Sequence, residues 1–432
     1  MPVKLFICFL LFILLLRFFF FFQKGDTYND GQEIKYETTI FSEPQFTSTI
    51  QKISVNLPTG ENVYITLLRF PEYSYGDRVV ISGPIRILPR AGGLRPPGPG
   101  GQSYGASTRI FSLLFNKQQY IFSQNFPKIE YVKTNKDPIL AVTSFIRQRV
   151  SQIFNSVFPP DLASLMLGIV FGIKGQMSND FFNNLKLSGV LHIIAASGMN
   201  VTMIGGFLSS FFALFLKRQM AVMLSITGII FYAFLAGFSA SIVRASIMGI
   251  LVFSSQILGR QSYASYGLFL TAFIMLFLSP GLIFDIGFQL SFAATAGLLY
   301  IRPLFIFRKL KKIPFSEDIL ITLSAQIATL PILLANFGTY SIWSVVVNGL
   351  VLWTVPILMI VGGLGALSGL VFEPVGKVFL YLCLPFLLYF KEVVSFFSKG
   401  ALFSLETMPF SFILGYYLLL LSIILYRKSK AQ

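Results

Sequence analysis

The sequence predicts a polytopic α-helical membrane protein of about ten spans, with a small extracytoplasmic β domain. Three observations predict it. Of 432 residues, 54% are hydrophobic and 12% charged, about half the charge of an ordinary soluble domain. Apolar runs fill residues 4–22 and recur from 190 to 426, the first able at ~1.5 Å per residue to span a hydrocarbon core of ~30 Å. Between them, 26–137 is charged and rich in turn residues. The same composition excludes a disordered chain, which needs low hydrophobicity and high charge.

Residues 1–25 are read as a membrane anchor. A cleavable signal peptide is the alternative, but Gln23-Lys24-Gly25 offers no small-x-small cleavage site and the apolar run is too long. Lys4 then faces the cytoplasm and the next segment lies outside.

Residues 26–137 carry short alternating runs at 34–41, 47–57, 63–70, 78–87 and 129–133, which read as strands. Thr59-Gly60-Glu61 joins the second and third as a hairpin. Five short strands suggest a small barrel or sandwich, with an OB-fold the leading candidate. The Gly- and Pro-rich stretch 91–105 is a loop. Arg69, Arg78, Arg86, Arg90, Arg95 and Arg109 are interleaved with Tyr73, Tyr75 and Tyr104. A single nucleic-acid strand uses that mixture, cations for its backbone and rings for its bases; the bland alternative is the solvated surface of a small barrel.

Residues 138–175 hold two helices. In 138–157, Ile139, Val142, Phe145, Ile146, Ile153 and Phe154 recur at helical spacing beside Arg147 and Arg149, a pattern suited to lying on a membrane surface. The apolar run 162–173 is too short for a full span and reads as re-entrant or packed among other helices.

Residues 176–432 form the polytopic part, with candidate spans at 190–216, 220–238, 242–258, 263–278, 282–300, 319–337, 342–370, 378–397 and 410–426. Lys217-Arg218, Arg260, the basic run 302–312 and Arg427-Lys428 all fall on the side of Lys4, giving both termini inside and the β domain outside. The net charge of +16 divides accordingly, with 15 basic against 10 acidic residues over 23–160 and 17 against 8 over 161–432. The larger excess is partly the ordinary bias of inside loops, not one polyanion-binding patch.

Scarcities narrow the chemistry. The only cysteines, Cys8 and Cys383, sit in apolar runs, so neither a disulfide framework nor a cysteine zinc site is expected. A single histidine, His192, excludes HExxH zincins and multi-histidine metal sites. No phosphate-binding GxxxxGK[ST] loop is present, so transport is not driven by an ATPase of this chain. No catalytic residue, metal or cofactor is expected.

Polar residues inside spans are costly unless they pair or line a wet path. The segment 188–206 gathers His192, Ser197, Gly198, Asn200 and Thr202; Ser197-Gly198 allows a break or a close helix approach. The segment 237–250 places Arg244 among Ser239, Ser241, Ala245 and Ser246, as in a buried helix whose arginine faces a cavity; snorkelling to the interface is the alternative. In 284–299, Asp285 and Gln289 are four apart and share a face, with Asp285 a candidate partner for Arg244. Gln326, Thr329 and Asn336 form another polar face, and Asn348 and Pro356 mark a broken span. For each of these residues, plain helix packing remains the alternative.

These blocks resemble the ComEC family of DNA-uptake channel proteins. HIIAASGMNV at 192–201, GFSASIVRASIM at 237–248, FDIGFQLSFAATAGLL at 284–299 and AQIATLPILLANFG at 325–338 follow the family's order and spacing. YGDRVVISGPI at 75–85 is similar to its extracellular OB-like domain. The resemblance implies a channel in the cytoplasmic membrane passing single-stranded DNA inward during natural transformation. It carries His192, Ser197, Gly198, Arg244, Asp285, Gly287, Gln289, Gln326 and Asn348 as path residues. Its implied partners are a DNA receptor, a separate nuclease, a cytoplasmic motor ATPase and a strand-binding protein. Two departures matter. Asn200 stands where many members have a second histidine, and the chain reaches Gln432 without the β-lactamase-like nuclease domain of many members. The expectation is therefore a translocator and not an enzyme. The rivals are a small-solute secondary transporter, against which the lack of a convincing internal repeat counts, and an intramembrane hydrolase built on His192 and Ser197.

Overall fold

The computed structural model describes residues 2–23, 28–40, 45–46, 49–57, 62–73, 77–89, 120–131, 138–173, 177–194, 198–259, 261, 263–305, 316–337, 339–341, 343–399, 402–404 and 410–431. Thr59-Gly60-Glu61, Tyr75, Arg90, the 91–105 loop, Tyr104, Arg109, Ser197 and Arg260 lie outside them.

Helix α1 (Pro2–Gln23) leads into a small β unit of strands β1 (Glu33–Thr39), β2 (Gln45–Phe46), β3 (Ile50–Asn56), β4 (Asn62–Leu68), β5 (Arg78–Pro84), β6 (Arg86–Pro89), β7 (Tyr120–Asn125) and β8 (Lys128–Tyr131). One sheet runs β1-β5-β8, the other β2-β3-β4-β7-β6. β3 and β4 pair antiparallel, as the hairpin reading requires. Ile40 bridges Val55, and β5 and β6 are separated only by Ile85, so the two sheets meet around one core. Period-two alternation explains that core: Val79 and Ile81 point inward between exposed Arg78 and half-buried Val80. Ile40, Val63, Ile65, Val79, Ile81 and Ile85 are all fully buried.

The sequence pattern missed β7. It pairs parallel with β4, with Val63 opposite Phe122, and a parallel partner so distant in the chain leaves no local signal. Tyr73 also departs from expectation. It is core, 7% exposed, and its N–H donates to Gln51 Oε1 at 3.2 Å. Burial, and secondarily Asp77, raises its phenol pKa. It therefore offers no face to a ligand.

The helical part comprises α2 (Pro138–Val157), α3 (Pro160–Phe171), α4 (Asn179–Leu187), α5 (Gly198–Ala213), α6 (Arg218–Ala236), α7 (Ala240–Ile257), α8 (Ala264–Leu278), α9 (Ile286–Ala296), α10 (Ser316–Phe337), α11 (Ser344–Val351), α12 (Thr354–Val371), α13 (Glu373–Ser398) and α14 (Phe410–Ala431). A short antiparallel ribbon, β9 (Thr339–Ser341) with β10 (Leu402–Ser404), joins two of the connections. Helices α6, α7, α12, α13 and 319–336 of α10 are long and apolar enough to cross a membrane. α3, α5, α8, 7–21 of α1 and 412–427 of α14 are shorter apolar helices. The run 190–216 is not continuous: a 3-10 turn at Leu191–Ile193 precedes α5. The run 282–300 divides into a 3-10 turn at Pro280–Phe284, α9 and a π turn at Gly297–Ile301. The break expected in 342–370 falls between α11 and α12.

Two packing features order this bundle. Helix α3 is buried on all sides, with nine consecutive residues, 162–170, inside; a helix apolar all round belongs in a core. α12 and α13 cross where Gly365, Gly369 and Gly376 remove side chains. A Cβ at Gly376 would fall on the Gly369 backbone and 2.7 Å from the Gly365 oxygen. Small residues let helix backbones approach in lipid, where no hydrophobic driving force separates helix from solvent.

Helix α2 keeps Val142 and Phe145 outward, 52% and 66% exposed, and packs its other side into the bundle. Val150, Ile153 and Phe154 join the main core, Ile153 lies against Gly369, and Arg147 is 6% exposed, its guanidinium beside Gly237 at the end of α6. Arg149 pairs with Glu373 at 3.0 Å. The charged stripe that suggested a membrane surface is used for ties within the protein.

Candidate functional site

Three helix starts bring the polar blocks together. α5 begins at Gly198, α7 at Ala240 and α9 at Ile286. Arg244 lies just over one turn into α7, and its guanidinium projects to the start of α5. A Cβ added at Gly198 would come within 2.6 Å of Arg244 Nη2 and 3.4 Å of the Ala245 methyl, so the glycine is what admits the arginine. Arg244 Nη1 donates to Thr295 Oγ1, and the Thr295 hydroxyl donates to the Ser291 carbonyl at 2.9 Å. Arg244 Nε is buried with no hydrogen-bond partner among the described residues. A cation is thus held at the N-terminus of α5, where backbone N–H groups already carry positive partial charge. That arrangement has no use for a second cation and favours an anion.

Asp285 does not supply that anion. Its Oδ1 accepts the Phe288 N–H at 2.7 Å and caps α9. Gln289 Nε2 donates to the Ile283 carbonyl at 2.8 Å. The two residues share a neighbourhood, as their spacing predicted, but they secure the turn into α9 and leave Arg244 to Thr295. Gly287 lies close by, where a Cβ would meet Asp285 Oδ1 at 3.0 Å.

Asn200 is 2% exposed, and its Nδ2 donates to the Ile169 carbonyl at 2.8 Å. Tyr232 of α6 donates to the next carbonyl, Val170, at 3.1 Å, and its hydroxyl also bonds the Asn200 side chain. Together they satisfy two of the four carbonyls that the C-terminus of α3 leaves over. Asn200 is a clip between α3, α5 and α6. Sequence reasoning missed Tyr232, which sits in an apolar helix with nothing to mark it.

The third group surrounds the turn before His192. Gln326 Nε2 donates to Ser344 Oγ at 2.9 Å, and Tyr340 donates to Gln326 Oε1 at 2.7 Å. Gly189, with φ +77°, touches Ser344, and a Cβ there would also lie 3.2 Å from that of Ser341. The left-handed backbone and this contact both require glycine. Asn348 follows Ser344 by one turn of α11, 2% exposed, with its Oδ1 unpartnered among the described residues. His192 is exposed between buried Val190 and Ile193, its ring turned toward the Gly189 backbone. Tyr340 and Ser344, unflagged by the sequence, are what hold Gln326.

On the β unit, Arg86 is exposed and shares a row with Ser123 and exposed Tyr64 across β6, β7 and β4. Arg69 lies over the Phe70 ring at 5.7 Å and pairs with Glu72. Arg78 is drawn to Glu37 at 3.1 Å on the other sheet. Arg90 and Arg95 lie outside the described residues. Among the described residues no group of three or more His, Cys, Asp and Glu side chains could hold a metal ion.

A family model described as Competence protein matches residues 169–430. The chain belongs to that family. Every helix start just described falls within the match. ComE operon protein 3 of Bacillus subtilis is 26% identical over 204 residues, 47% of this chain and 26% of that one. Recombination protein 2 of Haemophilus influenzae is 25% identical over 194 residues, 43% of this chain and 24% of that one. An uncharacterized protein, MG316 of Mycoplasma genitalium, is 26% identical over 155 residues, covering 36% and 40%. The chain thus aligns with about a quarter of the length of the first two relatives. No solved structure matches it. Family membership and the five long apolar helices make this a membrane protein of the competence family.

Proposed function

We propose that the chain forms a channel in the cytoplasmic membrane and passes one strand of incoming DNA to the cytoplasm. The observation that carries this reading is Arg244, held by Thr295 over the glycine that opens α5. A phosphate arriving there meets a guanidinium and a helix N-terminus together, the two groups best suited to it. His192 and the Gln326–Tyr340–Ser344 group border the same route, while Asn200, Asp285 and Gln289 shape it from behind. About ten crossings, N-in and C-in, place the β unit outside. The succession of strands, with the Ile40–Val55 bridge and the β5–β6 connection joining the two sheets, supports an OB-like barrel. Its exposed row Tyr64, Ser123 and Arg86 suits a strand passing toward the helices. The protein acts as a translocator and not an enzyme. A DNA receptor, a nuclease, a motor ATPase and a strand-binding protein supply delivery, strand removal and driving force.

Deletion of the gene in a transformable host tests this. Labelled DNA should still reach the cell surface while nuclease-protected label in the cytoplasm falls to background, restored by the intact gene. Unchanged cytoplasmic label would end the channel reading.

A further inference from the structure

One end of the β unit is apolar and open. Leu68 is 63% exposed, Phe70 72% and Phe126 57%. Strand pairing brings them together: β4 and β7 run parallel with Thr66 opposite Asn125, and the Phe126 N–H donates to the Thr66 carbonyl at 2.8 Å. Phe126 has φ 51°, an uncommon backbone for a bulky residue, and it is set outward there instead of inward. Clustered exposed apolar side chains rimmed by polar ones mark an interaction surface. The rim is charged, with Arg69 over the Phe70 ring and paired with Glu72 at 3.4 Å, and with Lys128 exposed and available for a further anion.

The chain itself indicates what this end faces. The Gly31 N–H donates to the Ile85 carbonyl at 2.8 Å, and Glu33 pairs with Pro84. Pro127 packs against Gly83, the residue just before that Pro84. The segment arriving from α1 therefore joins the β unit at the end that carries Phe126. Only five steps separate Gln23, the last residue of α1, from Tyr28, which packs on the β core; at ~3.6 Å per residue they reach about 18 Å at most. With α1 in the bilayer, the apolar end is kept beside the membrane surface.

We propose that this end docks into the headgroup layer of the outer leaflet. Leu68, Phe70 and Phe126 enter the boundary with the acyl chains, and Arg69 and Lys128 meet lipid phosphates, the placement that aromatic and basic residues take at membrane interfaces. The docking fixes the height and orientation of the β unit over the helices and leaves the Tyr64–Arg86 face free. It rests on α1 spanning the membrane and makes no use of DNA.

The test uses the full chain in liposomes of phosphatidylethanolamine and phosphatidylglycerol, with Trp343→Phe and Trp353→Phe removing native indole signal. A Phe126→Trp probe should be quenched by lipids brominated near the headgroup, losing half or more of its emission, and be shielded from aqueous acrylamide. A Glu37→Trp control, four residues along β1 from Glu33, should do the reverse. A Phe70→Trp probe repeats the reading independently should the first variant fold poorly. Omitting phosphatidylglycerol should weaken the bromine quenching when the rim is intact, and leave it unchanged when Arg69→Gln and Lys128→Gln have already removed the headgroup attraction. Acrylamide quenching of both probes at the control's level, without bromine quenching, overturns the proposal. So does protection by an added single-stranded oligonucleotide in place of lipid, which would make this end a nucleic-acid surface.

Discussion

A chain carrying Arg244→Gln, inserted in the membrane at the wild-type level, is expected to import about 10- to 100-fold less protected DNA. Glutamine still reaches toward Thr295 but has no charge and no fork of donors. A hydrogen bond to a charged group is worth roughly 1.5–3 kcal/mol, and each ~1.4 kcal/mol is about a tenfold change. Arg244→Lys should fall between the two, because it keeps the charge and loses the planar geometry. Binding of DNA at the cell surface should be unaffected, which separates loss of passage from loss of capture. Import at the wild-type level in Arg244→Gln would remove the role assigned to this residue.

The second large effect is on the fold. Gly376→Val is expected to separate α12 from α13, because the new side chain meets only α12 backbone, the Gly369 main chain and the Gly365 oxygen at 2.7 Å. Overpacking typically costs about 1–3 kcal/mol, and here no flexible side chain can yield. Gly363→Val is the matched control, since nothing lies within 4 Å of a Cβ there. In mild detergent, fluorescence-detected gel filtration should show the Gly376 variant aggregating at a lower temperature while the Gly363 variant follows wild type. Equal behaviour of the two would contradict the crossing described for these helices.

Much of this architecture is legible from periodicity, and what is not has physical reasons. Hydropathy finds the long apolar helices because burial in lipid or protein acts on every residue of a run. The runs expected at 34–41, 47–57 and 63–70 fall on β1, β3 and β4; the run at 78–87 divides at Ile85 into β5 and β6 of different sheets, and the one at 129–133 begins one residue early as β8. No such run marks β7, since its partner β4 is set by the closing of the sheets and not by neighbours in sequence. The polar residues are recognisable, but their partners are not. Asp285 stands just before an apolar helix, a capping position that the sequence itself displays, yet the same placement near an outer end also fits a pair with Arg244. Thr295 holds the arginine instead, nearer the far end of α9, a choice made by how α7 and α9 lie side by side. Arg147 is misread for the opposite reason. A charge on an amphipathic helix reads as outward-facing, whereas its target, the end of α6 at Gly237, lies far along the chain.

The central claim is that a DNA strand passes the opening of α5, and crosslinking during uptake tests it most directly. Thr202 is exposed one turn beyond Gly198. A photoreactive amino acid placed there, activated while labelled DNA is entering, should capture the incoming strand. The same group at Val371, which is 90% exposed at the end of α12, should capture lipid and little DNA. Import that continues while DNA crosslinks at position 202 no more than at 371 would contradict the account.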